Sequence, residues 1–146
     1  MPSLSANRDR ESVLRRLRSL TPQHQRRWGK MTAHQMVCHV SDQMRVALGD
    51  LPTKPFGGYL TGLLMRLYSI HTPGPWPKGR VQTAREMLTA QPTAWDADVR
   101  ACAELIVRFG RERAHAVHPR FGPLTPREWG ILTAKHANHH LTQFGV

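Results

Sequence analysis

The feature that most constrains this chain is an apolar stripe whose spacing suits one kind of element. Trp95, Val99, Cys102, Ile106 and Phe109 recur at intervals of four, three, four and three residues. An α-helix has about 3.6 residues per turn, so these side chains share one face; a strand would need a period of two. The stripe is narrow, as in the seam of a helical bundle. Such a seam must be covered by further amphipathic helices.

The sequence supplies them. Residues 9–20 carry Val13, Leu14, Leu17 and Leu20 at helical spacing, with arginines on the other face. Thr32 with Gln35 forms a capping box, in which each side chain satisfies a backbone N–H at the helix start. The helix it opens is expected to run to Leu48 with Met36, Val40, Met44 and Ala47 inward, and Gly49 can stop it. A third segment, 56–70, places Leu60, Leu63, Leu64 and Leu67 at helical spacing after Gly57 and Gly58. His71 to Gly79 holds three prolines and two glycines in nine residues and reads as loop, and Thr83 with Glu86 is placed to cap one short turn. His118 to Gly122 reads as a turn. Thr125 with Glu128 makes a second capping box, Pro126 takes the first helical position, and the last helix is expected to end near Gly145. Alternating patterns are absent, so no strand is expected. The expected fold is all-α: one domain over 1–146, a four-helix bundle with a long Pro/Gly-rich insertion and a short extra helix between its second and third helices.

Composition narrows the function. The chain has 146 residues, 40% of them apolar, enough for a core without staples. Cys38 and Cys102 lie far apart among apolar neighbours and read as small buried hydrophobes, not as a disulfide or a metal knuckle. The longest apolar stretch, 56–70, is too short to span a bilayer and contains Arg66. Charges at Arg8, Asp9, Arg10 and Glu11 interrupt any secretory apolar run; the Arg-rich start is compatible with a transit peptide, against which Asp9 and Glu11 argue, so a cytoplasmic, reducing setting is expected. The net charge is +11, but no basic run exceeds two residues. Diffuse charge attracts phosphate in a salt-dependent way, and it is weaker support for a nucleic-acid partner than a basic stripe.

Histidine carries the chemistry. The chain has nine, three of them in His136-Ala137-Asn138-His139-His140. Residues four apart on a helix differ by about 40° and stack one turn apart, so His136 and His140 can share a metal ion. His139 falls towards the edge of that face. Two nitrogens hold a metal poorly, and a catalytic site needs a third ligand. His39, beside Met36 and Val40 on the inward stripe of the second helix, is the candidate. His34 is about 140° away and cannot join it. His24, His71, His115 and His118 fall in links and read as solvated or turn residues. Against the metal stands the plain alternative that such a pair is core or surface histidine. A zincin would need Glu at Ala137, and its inverted form Glu at His139, so both are excluded.

Several segments together resemble a known family. Trp28 to His39 resembles the start of the His-bearing second helix of the DinB-like metal-binding four-helix-bundle superfamily. His118 to Gly130 and His136 to Val146 resemble the C-terminal signature of one of its subgroups, and Pro75 to Gly79 with Thr83 also fits. The resemblance implies three metal ligands, which fall on His39, His136 and His140. It further implies a divalent transition metal, zinc or nickel, and often a homodimer. Some members resemble transferases and isomerases that use low-molecular-weight thiols. No substrate follows for this subgroup.

Three functional readings remain open. One is a metal-dependent thiol S-transferase or hydrolase acting on a small molecule, with the metal supplying the nucleophile. The second is a basic module for nucleic acid or an acidic partner. The third is a bundle whose metal is structural only. Asp42, one turn after His39, is placed either to orient that ring or to face solvent. Asn138, His139 and Gln143 are candidate pocket lining or ordinary surface. Trp76 sits in a loop able to cover the metal, whereas Trp28, Trp95 and Trp129 read as core.

Overall fold

The computed structural model describes residues 1–78, 85–88 and 90–146. The chain is all-α. Helix α1 spans Asn7–Ser19, α2 Ala33–Leu48, α3 Tyr59–Arg66, α4 Trp95–Arg111 and α5 Pro126–Gln143. Of the four long helices, α1 and α2 each pack against both α4 and α5. The shared interior holds Met36, Met44, Cys102, Ile106 and Trp129, all within 1% of complete burial. Each such apolar side chain gains about 1.5–3 kcal/mol from leaving water, which is what holds the helices together.

The two helices that frame the site begin where their capping boxes place them. Thr32 Oγ1 accepts from the Gln35 backbone N–H at 3.1 Å, and Gln35 Oε1 accepts from the Thr32 N–H at 2.9 Å. Thr125 and Glu128 repeat the exchange at 3.2 and 2.9 Å. Gly49 ends α2 in the left-handed region (φ 85°), where a side chain would be strained.

Several expectations need correction. The turn expected over His118 to Gly122 is present, but two short strands, which were not expected, flank it: Val117–His118 (β1) pairs antiparallel with Gly122–Pro123 (β2). Strands of two residues are too short to leave an alternating pattern. The 56–70 segment becomes helical only at Tyr59, past Gly57 and Gly58, and α3 runs on into one π-helical turn, Leu67–His71. Its leucines do not enter the core: Leu60, Leu64 and Leu67 are exposed. Helix α1 starts at Asn7, two residues early, and α5 stops at Gln143. The proposed cap residue Thr83 lies outside the described residues; Arg85–Leu88 forms a 3-10 turn. Among the described residues no helix is long and apolar enough to cross a membrane.

Candidate metal centre

Helix α5 is buried from Glu128 to Ala137 without a break, far wider than an ordinary amphipathic stripe. It therefore carries polar residues into the interior, His136 and His140 among them. Helix α2 brings His39 to the same place. The three imidazoles are 6%, 7% and 8% exposed for His39, His136 and His140. Their ring centroids lie 4.8, 4.8 and 4.6 Å apart, and one ligating atom from each falls within 4.8 Å of the others. His39 Nε2 and His136 Nε2 are 3.0 Å apart. Two ligands at about 2.0–2.1 Å from a tetrahedral ion would stand about 3.3 Å apart, so the spacing fits a shared cation.

The outer nitrogens decide which lone pairs point inward. His39 Nδ1 faces the Met87 carbonyl oxygen at 3.0 Å, and His140 Nδ1 faces Gln143 Oε1 at 2.9 Å. A carbonyl oxygen only accepts, so both Nδ1 atoms carry the proton and both Nε2 atoms keep a free lone pair. Metal-binding histidines are fixed by this kind of outer contact. His136 Nδ1 is buried without a hydrogen-bond partner among the described residues. Burial pushes all three rings below the usual histidine range, His140 to about 3, and their mutual proximity pushes His136 and His140 further. The rings are neutral, the form a metal requires. No carboxylate belongs to the trio.

The remaining candidates are placed as follows. Asp42 neither orients His39 nor faces solvent. It is 3% exposed and accepts a 2.8 Å hydrogen bond from Arg45, one turn on. Gln143 is buried and bridges: besides meeting His140 it donates from Nε2 to the Trp28 carbonyl at 2.6 Å. The next residue, Gly29 (φ 78°), leaves room for this, because a Cβ there would collide with Gln143 Nε2. Asn138 is exposed and accepts from Arg16 at 2.6 Å. His139 is half-buried between Trp28 and Trp76, with ring centroids 5.7 and 6.0 Å away. Trp76 is 7% exposed and lies 6.1 Å from the His136 ring. Its indole N–H donates to the Ser69 carbonyl at 3.1 Å, which ties the loop to the π-helical turn.

Sequence reasoning missed a second cluster. His34 and Cys38 of α2 meet Asp98 of α4, with potential ligating atoms within 4.8 Å of one another. The i, i+4 spacing of His34 and Cys38 was its signal. His34 Nε2 lies 2.7 Å from Asp98 Oδ2, and the same carboxylate accepts from the Thr93 backbone N–H at 2.9 Å. His118 lies in β1, next to the turn, and is not a solvated residue: it stacks on Phe121 at 4.2 Å, and burial pushes it to about 3.

A mostly helical chain with three neutral imidazoles converging from two helices defines a class of all-α proteins with a buried histidine centre. The chain belongs to the DinB superfamily, whose family model matches residues 6–144. Comparison with curated proteins and with solved structures found no match.

Proposed function

We propose that this chain, acting as one domain over 1–146, binds a divalent transition metal through His39, His136 and His140 and uses it on a small molecule. The supporting observation is the convergence of Nε2 lone pairs whose outer nitrogens are held by Met87 and Gln143. An all-imidazole donor set suits zinc, nickel, copper or iron over magnesium or calcium, and zinc or nickel is the assignment made here. Bound there, the metal would acidify a water or hold a thiol as thiolate. Around it, Gln143 and the Met87 carbonyl fix ring orientation, and Trp76 shields the cluster from bulk water. The activity proposed is transfer of a low-molecular-weight thiol, or hydrolysis. The exposed face of α3, with Tyr59, Leu60 and Leu64, is the apolar surface available for the expected homodimer.

The test is metal analysis of tag-free protein, followed by cobalt substitution and titration with a small thiol. One metal per chain, lost in His136→Ala, and a new sulfur-to-cobalt charge-transfer band are expected. Substoichiometric metal that His136→Ala leaves unchanged overturns the reading. The burial of all three rings favours a structural metal as the second reading. That reading predicts a cobalt spectrum indifferent to thiol and a chain that loses thermal stability on chelation.

A further inference from the structure

Beside the histidine cluster lies a cavity of about 470 Å³, within the usual range for small-molecule sites. Its walls include Trp28, Trp76 and His139, so it shares two rings with the shell around His136 and His140. Its charged lining is cationic: Lys78 and Lys135 line it and no Asp or Glu does. That is a biased choice in a chain with 17 arginines and four lysines. Lys78 Nζ stands 4.7 Å from the centre of the Trp28 ring. Lys135 is the more telling residue. It is 9% exposed, and its ammonium donates to the Thr72 carbonyl at 2.8 Å. No carboxylate among the described residues forms an ion pair with it. A buried cation without a counter-ion is costly, and an anion supplied from outside relieves that cost. The net charge of +11, which the metal centre does not use, draws such an anion towards the protein.

We infer that this cavity is a binding site for a small organic anion with a flat apolar body: the anionic group sits at Lys135 and Lys78, and the body stacks against Trp28 and Trp76. The inference names the substrate class of the proposed metal-dependent activity, and as a statement about substrate it rests on that reading. As a statement about binding it stands alone.

The experiment is calorimetric titration of the full-length protein with 2-naphthoate and with its neutral isostere 2-naphthamide. Naphthoate is expected to bind at least about tenfold more tightly, as for a hydrogen bond to a charged group. Lys135→Met should remove that preference while leaving naphthamide binding within about twofold. Lys78→Gln, at an exposed position that does not threaten folding, should weaken naphthoate by about threefold. Equal affinity for acid and amide overturns the inference, as does a folded Lys135→Met that retains the preference or an absence of naphthoate binding at millimolar concentration. Metal content of the same samples separates the two readings. Protein that holds metal but ignores naphthoate overturns the anion site alone. Protein without metal that binds naphthoate through Lys135 overturns the metal centre alone.

Discussion

Helix α2 carries two histidines five residues apart, and their surroundings differ in kind. His34 points at Asp98, and the pair is satisfied: a carboxylate, an imidazole and a backbone N–H share one set of hydrogen bonds between α2 and α4. His39 faces two further imidazoles and makes no hydrogen bond to an acid among the described residues; its outer nitrogen is held by a carbonyl and its inner nitrogen stands opposite that of His136. Both groups contain three residues of ligating type within the same span. The first satisfies its polar groups internally, with a carboxylate accepting from its neighbours. The second leaves neutral donors turned on one another, an arrangement that only a shared proton or a cation satisfies. Proximity of ligating residues therefore says less than the identity of the partner on each ring's far side.

The largest effect that could break this contrast is on metal content. His136→Ala or His39→Ala should lower metal affinity by more than about a hundredfold, and His34→Ala should leave it within about twofold. Competition against a chelator measures both, and equal losses would erase the distinction between the clusters. Next comes the ring's outer contact. Gln143→Leu removes the acceptor from His140 Nδ1 and should weaken metal binding by about 10–100-fold. Asp42→Asn, on Arg45 and off the ring, should change affinity by less than about twofold. A reversed order would show that charge near His39 outweighs ring orientation.

A third prediction uses pH. Burial raises the Glu128 carboxyl, but the Thr125 backbone N–H, the Arg66 guanidinium and the Thr125 hydroxyl overcome this and hold it at about 2, from an ordinary 4.5. A lowered folded value means the contribution is fully present above about 4.5 and is lost as pH falls towards about 2. Urea midpoints should therefore drop across that window, and Glu128→Gln should flatten the drop. The smallest effect belongs to the satisfied cluster: Asp98→Ala should cost about 1 kcal/mol in stability and nothing in metal content. Thermal denaturation with and without chelator checks it.

Much of this was legible in the residues. The stripe of α4 and the two capping boxes marked where the framing helices lie, and His136 with His140 followed from helical spacing alone. What escaped had local physical reasons. The partner of His39 is a backbone carbonyl 48 positions away, and a carbonyl leaves no trace in side-chain chemistry. Asp42 read as a solvated acid or a ring partner because a buried acid neutralised by Arg45 has the same sequence signature as a surface pair. The leucines of α3 have helical spacing yet stand exposed, and spacing does not say whether another element covers a face. Gln143 was placed among the lining candidates, but its bridge to Trp28 depends on a link that folds back from before α2.

That bridge has a consequence for how variation in this chain should be interpreted. Gly29 has no side chain and lies outside the donor set, yet its bareness is what lets the amide of Gln143 reach both neighbours. Any larger residue there would tilt an imidazole at second hand. A lesion at this position would present as a disturbed histidine cluster, with nothing at the lesion itself to account for it.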